Sequence, residues 1–363
     1  MSIFTIEMLP AEEGDALWVE YGSKSRRRRI MVDGGVLKTS ANLIDRVEDL
    51  GGKRRFELMV VTHVDNDHID GMVKLLASRT AFEVGDFWFN AWPQISEDRL
   101  GPKQGEMLSE LIERRGFDHN AAVDGGPIGV PSDEEAELVR HELPGGLEIT
   151  VLGPRAEDLR RLRKEWEDVI EGAGLEPGGE FTGAKLLEKA PRYAEDRLGD
   201  KPPNAERWAK RKFVEDTSPA NPSSISLLLE YRGRSLLLTG DARSDSLCEG
   251  IDRLNAERGT DRMKVDVVKL PHHGSKNNVS NELISRLDCK NFLFSTSGRR
   301  FHHPDDDAVA RVLFNIDDPV LHFNYRSEHN QDWGRDNWMN DLGYRTVYPA
   351  EGEAGLVVDL DPS

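Results

Sequence analysis

Apolar and polar positions alternate through the first thirty residues in a way that predicts short strands. Ile3 to Leu9 alternates, Pro10 to Asp15 turns, Ala16 to Tyr21 resumes the alternation, and Ile30 to Val32 is a third apolar run. The charged linker Gly22 to Arg29 between the second and third runs reads as a hairpin. Leu43, Ile44, Val47 and Leu50 then recur at helical spacing and stop at Gly51-Gly52, after which Phe56 to Val61 is a buried strand pattern. A second helical stripe, Ile69, Met72, Val73 and Leu76, follows almost at once. Further on, Val84 to Asn90 predicts a strand, Gly105 to Arg115 a helix closed by Gly116, and Leu147, Ile149 and Val151 a strand that stops at Gly153-Pro154.

The second half repeats the theme. Ser224 to Tyr231 and Ser235 to Thr239 pair across the Arg232-Gly233 turn and end in Gly240-Asp241. A helix near 244 to 257, the strand Val265 to Leu270, a helix at about 280 to 287, the strand Asn291 to Ser295 and a helix through Val309 and Val312 come next. Strands at Val320 to Phe323, Arg345 to Tyr348 and Gly355 to Leu360 complete the pattern, with Trp333, Trp338 and Tyr325 read as core residues of the tail. Three hairpin strands followed by a helix and a strand do not alternate as a doubly wound sheet does. They suit an α/β sandwich in which a mixed sheet forms one half.

Between these halves the texture changes. Residues 155 to 220 open with a charged helix, Arg155 to Glu171, and continue dense in Gly, Pro, Lys, Glu and Arg. Too little apolar surface is present there for an independent core. The expectation is a single domain over 1–363 with a charged insertion at about 155–220. That insertion is read as a lid or partner-docking segment anchored by Trp166, Phe181, Tyr193, Trp208 and Phe213, with a plain linker as the alternative.

Composition narrows the function classes. The chain of 363 residues carries 48 Lys and Arg against 66 Asp and Glu, a formal net charge of −18. An acidic surface repels a phosphate backbone, which argues against broad, nonspecific binding of nucleic acid. Basic runs at Arg26 to Arg29, Arg160 to Lys164 and Lys210 to Lys212 read first as solvated faces and second as phosphate contacts. With a mean hydropathy of −0.57, no stretch approaches the ~20 apolar residues of a membrane span, so no membrane partner is expected. The amino terminus begins directly in a strand pattern without the regions of a signal peptide, and the expected location is the cytoplasm. Cys248 and Cys289 are read as core thiols.

The candidate chemistry sits where the fourth strand ends. His63, Asp65, Asp67 and His68 fall within six residues, between an apolar strand and a helix. Imidazole and carboxylate together suit zinc, manganese or iron better than calcium or magnesium. Asp241, His272, His273 and His303 also stand just beyond strands or turns, in a chain with ten histidines. One structural zinc needs four ligands, so the surplus points to two metals, or to one metal with catalytic neighbours. Gly14-Asp15 and Asp33-Gly34-Gly35 place further carboxylates at strand ends, either as supports for the ligands or as ordinary turn chemistry.

These motifs taken together, His63-x-Asp65-x-Asp67-His68-x-x-Gly71, Thr239-Gly240-Asp241, Pro271-His272-His273-Gly274-Ser275 and His303-Pro304, resemble the metallo-β-lactamase superfamily and, within it, the ComEC/Rec2-like branch. Asn221-Pro222-Ser223-Ser224 before a Leu-rich strand adds to the agreement. The resemblance implies an αββα sandwich, a metallo-β-lactamase-like fold, with a dinuclear site at one edge. It implies that His63 and Asp65 hold one metal, that Asp67 and His68 hold the second with His272 completing it, and that Asp241 bridges the two. His273 would then face the substrate as an acid or transition-state donor, and His303 would be a further ligand or a phosphate-facing group. Asn221, Ser224 and Ser275 would bind substrate oxygens, and Asp67, His273 and His303 would be the catalytic set. The cofactors implied are two divalent ions, zinc first and manganese second. Asp65 stands where most of the superfamily has histidine, and the usual middle histidine is missing, with His119 and His141 the available substitutes.

The implied function is a metal-dependent hydrolase that uses a dinuclear metal-activated hydroxide on phosphodiesters of a nucleic acid or nucleotide. A thioester, lactone or lactam hydrolase, and a metal-binding effector subunit that works only in a complex with a protein partner, are the alternatives.

Overall fold

The period-two alternation read from the sequence decides which way each strand residue faces, and the computed structural model shows the result for residues 2–51, 53–91, 103–133, 135–172, 203–218 and 220–360. In chain order the first half contributes β1 (Ser2–Met8), β2 (Leu17–Ser23), β3 (Arg26–Val32), α1 (Ser40–Glu48), β4 (Leu58–Val60), α2 (Asn66–Ala77), β5 (Phe87–Trp88) and α3 (Lys103–Arg115). Then come β6 (Arg140–Leu143), β7 (Leu147–Gly153), α4 (Ala156–Gly172) and α5 (Ala205–Ala209). The second half contributes β8 (Ser226–Tyr231), β9 (Arg234–Leu238), α6 (Ser244–Arg258), β10 (Val267–Lys269), α7 (Asn281–Ser285), β11 (Asn291–Phe294), α8 (Asp306–Asn315), β12 (Val320–Phe323), α9 (Asp336–Leu342), β13 (Arg345–Val347) and β14 (Leu356–Asp359).

Two sheets carry the fold. One is six-stranded in the order β14-β1-β2-β3-β4-β5, and the other eight-stranded in the order β13-β12-β11-β10-β9-β8-β7-β6. Register puts like faces together: Ile6 lies opposite Val19, Met8 opposite Leu17, and Val19 in turn opposite Ile30. These residues share one buried cluster with Leu227, Leu229, Leu236, Leu238, Val267 and Leu293 of the second sheet, so that cluster is the layer between the sheets. The opposite parity points outward. Trp18, Met31 and Met59 pack with α1 and α2, and Leu228, Leu237, Val268 and Phe292 pack with Leu247 and Ile251 of α6 and Val309 of α8. The result is the expected αββα sandwich. Each fully buried Leu or Val contributes about 1.5–3 kcal/mol, so a one-residue slip of any central strand would be strongly opposed.

The parallel part of each sheet positions the site. β3 and β4 run parallel, as do β9, β10 and β11. Their carboxyl ends, followed by Asp33, His63, Asp241, His273 and Ser295, therefore open on a common edge of each sheet.

Two elements depart from the pattern-based expectation. The strand expected over 84–90 is split into Glu83–Val84 and Phe87–Trp88. Between them the Asp86 carboxylate accepts from Trp88 Nε1 at 2.7 Å and from the amides of Ala121 and Ala122. Unexpected, too, is the edge strand β6, because Arg-His-Glu-Leu buries only Leu143 and shows no alternation of hydrophobicity. Of the insertion, Phe181, Tyr193 and the Trp166 side chain lie outside the described residues. Its returning end packs on the outer helices, with Trp208 edge-on to Trp333 at 6.4 Å and Asn281 Nδ2 donating to the Ala209 carbonyl. Trp333 and Trp338 are fully buried, as expected of core residues. Among the described residues, no helix is long and apolar enough to cross a membrane.

His322 on β12 makes stability pH-dependent. It is buried, and its Nε2–H donates to Asn291 Oδ1 at 3.1 Å. Burial, helped by Arg345, pushes its pKa down to about 4 from an ordinary 6.5. The unfolded chain therefore binds the proton between these values and the folded chain does not, so stability falls as pH drops through that window. At pH 5 the loss amounts to about 2 kcal/mol. Urea midpoints at pH 7.5 and pH 5 should converge by that amount in His322→Gln relative to the parent, and an unchanged difference would exclude His322 as the source.

Candidate metal centre

The loop after β4 is shaped by the start of α2. Asp65 occupies the N-cap position yet makes no capping hydrogen bond, which leaves its carboxylate free, and Oδ2 lies 3.6 Å from His63 Nε2. Asp67 and His68 fall in the first helical turn, where the helix dipole favours a carboxylate. Close backbone approach holds this turn in place. A Cβ at Gly14 would run into the Asp67 carbonyl, and one at Gly71 into the carbonyl of Gly34. Side chains at these two crossings would drive the loop out of position.

Hydrogen bonds on the far side of each imidazole fix which nitrogen carries the proton. His68 Nδ1 donates to Asp33 Oδ2 at 2.8 Å, and His273 Nδ1 donates to the Ser295 carbonyl at 2.8 Å. Thr62 Oγ1 spends its proton on Asp33 Oδ2 and so accepts from His63 Nδ1 at 3.0 Å. Each Nε2 is then left with a lone pair, and all three are buried without a hydrogen-bond partner. Carboxylates face them. Asp241 Oδ2 lies 3.3 Å from His68 Nε2 and 3.5 Å from His273 Nε2, and Asp67 Oδ2 lies 3.5 Å from His273 Nε2.

Lone pair against carboxylate is repulsive unless a cation lies between. Among the described residues four groups have the necessary spacing: His63, His68 and Asp241; Asp67, His68 and His273; Asp15, Asp33 and His68; and Asp15, Asp241 and His273. A nitrogen-and-oxygen donor set of this kind fits zinc or manganese. The electrostatics agree. Burial alone would lower the pKa of His273, but Asp241 and Asp15 outweigh it and push it up to about 9. Burial likewise opposes ionisation of Asp67, and His68 with His273 bring its pKa down to about 2. The centre demands positive charge, whether as protons or as metal.

The other residues singled out in the sequence are placed as follows. His272 is about a quarter exposed, and its Nε2 is 3.9 Å from Asp241 Oδ2, so His273 and not His272 enters the ligand groups. The neighbouring residues are separated by backbone geometry, with φ of 46° at His272 and 56° at His273. His272 Nδ1 is instead held by Asn278 Oδ1 at 3.0 Å and Asp216 Oδ2 at 3.3 Å. His303 Nδ1 pairs with Asp305 at 3.3 Å, and its ring lies edge-on to His272. Asn221 donates to Asp216. Ser224 Oγ accepts from the Asp241 amide and contacts His63 Nδ1, and Ser275 Oγ accepts from the Asn277 amide. All three of these polar residues are buried. Their hydrogen bonds run to side chains and amides of the protein itself. His119 donates to the Phe89 carbonyl and His141 lies against Trp88, so neither replaces the missing middle histidine.

Lys269, Asp216, Asn278 and Thr62 were not singled out from the sequence. Only Lys269 left a signal, as a charge at the end of the apolar run Val265 to Leu270.

No protein-family model matches the chain. It is similar to ComE operon protein 3 of Bacillus subtilis (strain 168), 29% identical over 142 residues, which is 37% of this chain and 16% of that protein. The chain thus spans well under two thirds of that relative. Among solved structures, the metallo-β-lactamase fold protein YhfI from Bacillus subtilis superposes with a TM-score of 0.39 at 9% identity, covering 98% of this chain and 99% of that one. Zn(2+)-bound PqqB from Methylobacterium extorquens gives 0.42 at 11%, covering 99% and 100%. CmlA beta-hydroxylase gives 0.38 at 10%, covering 99% of this chain and 54% of that one. These are distant likenesses, and no residue here takes its role from them.

The two adjacent histidines separate the ligand readings. His273→Ala should weaken Mn2+ or Zn2+ binding by more than the about 10- to 100-fold lost with a supporting partner, while His272→Ala stays near the parent. Calorimetric titration of both variants checks this, and equal losses would remove the distinction.

Proposed function

We propose that the chain is a metal-dependent hydrolase of phosphodiesters in nucleic acid or nucleotides, with His63, Asp65, Asp67, His68, Asp241 and His273 as its metal ligands. The observation that carries this reading is the convergence of three buried, unpartnered Nε2 atoms on carboxylates, those of His68 and His273 on Asp67 and Asp241 and that of His63 on Asp65. Two bound divalent ions, zinc or manganese, would supply an activated water and charge stabilisation for the displacement.

The chain's own groups supply the rest. Asp241 Oδ2 faces both His68 and His273, the place of a bridging carboxylate. Asp33 holds His68 in its ligand tautomer while also binding the Thr62 amide and hydroxyl. His272 stands at the open side. Its ring is about a quarter exposed, and Nδ1 is held by Asn278 and Asp216, which leaves Nε2 for an incoming group. The order of the motifs, which resembles that of the ComEC-like branch, supports the same class.

Purified protein loaded with Mn2+ or Zn2+ should hydrolyse bis-para-nitrophenyl phosphate and cleave single-stranded DNA while leaving a thioester intact. Asp67→Ala and Asp241→Ala should each lose at least about a hundredfold in turnover, with an unchanged circular dichroism spectrum. Thioester hydrolysis without diester hydrolysis, or full activity in either variant, would sink this assignment.

A further inference from the structure

Lysine is the wrong residue for the position that Lys269 occupies. Along β10, Val267 faces the space between the sheets and Val268 the outer helices, so Lys269 returns to the interior. It is fully buried there. Its Nζ pairs with the fully buried Asp15, donates to the Gly240 carbonyl at 3.3 Å, and lies 3.8 Å from Asp241 Oδ1. Asp15 is also 3.4 Å from His273 Nδ1.

Asp15, Asp241 and His273 have ligand atoms mutually within 4.8 Å, the spacing of a group that could hold a metal ion. The ammonium is already against the two carboxylates of that group. We propose that Lys269 is a resident cation of the centre: it neutralises Asp15 and Asp241 Oδ1, takes the place of a further divalent ion, and confines metal to the Oδ2 side of Asp241. The proposal rests on the metal-ligand reading above and not on the identity of the substrate. A buried ammonium is retained only when charge and hydrogen bonds compensate its desolvation. Here the compensation comes from the same carboxylates that would otherwise draw in metal. Lys269 also ties the first hairpin loop to the second sheet, so Asp241 keeps one oxygen turned toward His68 and His273.

An ion pair that merely braces the fold would behave differently from a resident cation. Full-length protein and the variants Lys269→Met, Lys269→Gln and Lys269→Arg, stripped of metal, would be titrated with Mn2+, with bound metal counted by mass spectrometry and melting followed in EDTA and in Mn2+. We expect Lys269→Met and Lys269→Gln to take up one more equivalent than the parent. Their melting temperature, low in EDTA, should rise with Mn2+ by about twice the parent's shift. Lys269→Arg, which keeps the charge, should bind the parental number. Should either neutral variant fold poorly without metal, recovery of folded protein on refolding in Mn2+ but not in EDTA supports the resident cation. Parental stoichiometry with melting no more metal-sensitive than the parent's, or failure to fold under both conditions, overturns it. A parent chain that binds no Mn2+ or Zn2+ overturns the metal-centre reading itself, a separate outcome.

Discussion

Unprotonated imidazole nitrogens and carboxylate oxygens face one another across a buried gap, and the rest of the structure is arranged around that constraint. His63, His68 and His273 each satisfy Nδ1 elsewhere, which leaves Nε2 aimed inward. Asp67 and Asp241 meet His68 and His273 at 3.3 to 3.5 Å, and Asp65 meets His63 at 3.6 Å. Such an arrangement is stable only with positive charge in the gap. Against the effect of burial, Asp241 pushes the pKa of both His68 and His273 up, with Asp33 and Asp67 adding to it at His68 and Asp15 at His273.

The sandwich makes the gap by bringing the carboxyl ends of parallel strands from both sheets to one edge. Chain crossings that admit only glycine, at Gly14 and Gly71, bring backbone close enough to brace the α2 turn. Positive φ at Asp33, His272 and His273 concentrates backbone strain at the same edge. Strain of this kind, worth on the order of 1–3 kcal/mol per residue, persists only where surrounding contacts over-determine it. Here those contacts are the hydrogen bonds of Asp33 to Thr62 and His68, and of His273 to Ser295.

Around the ligands lies a second set of polar groups. Asp216, Asn221 and Asn278 form a buried cluster behind His272. Asp216 comes from the returning end of the 155–220 segment, so that segment reaches the site whatever its remaining residues do. Lys269 and Asp15 close the opposite side with a fully buried ion pair. The two sides differ. One carries the partly exposed His272 imidazole, and the other a fully buried ion pair beside Asp241.

The sequence by itself determined the sandwich and the cluster of ligand candidates. Hydrophobic alternation in β1 to β3, helical spacing in α1 and α2, and the density of His and Asp from His63 to His68 are local properties, readable in windows of ten residues. It did not reveal β6, whose edge position asks for no buried alternation, nor the break at Gly85-Asp86, which the Asp86 hydrogen bonds impose. Only tertiary structure sets His272 and His273 in different surroundings. The two residues are adjacent and chemically identical, and the difference rests on left-handed backbone and on partners at Ser295, Asp216 and Asn278. The pairings of Lys269 with Asp15, of Asp33 with His68 and of Ser224 with Asp241 likewise join residues 17 to more than 250 positions apart. Nothing within a local window of sequence records a contact made at that separation, so the ligand candidates were legible and the contacts around them were not.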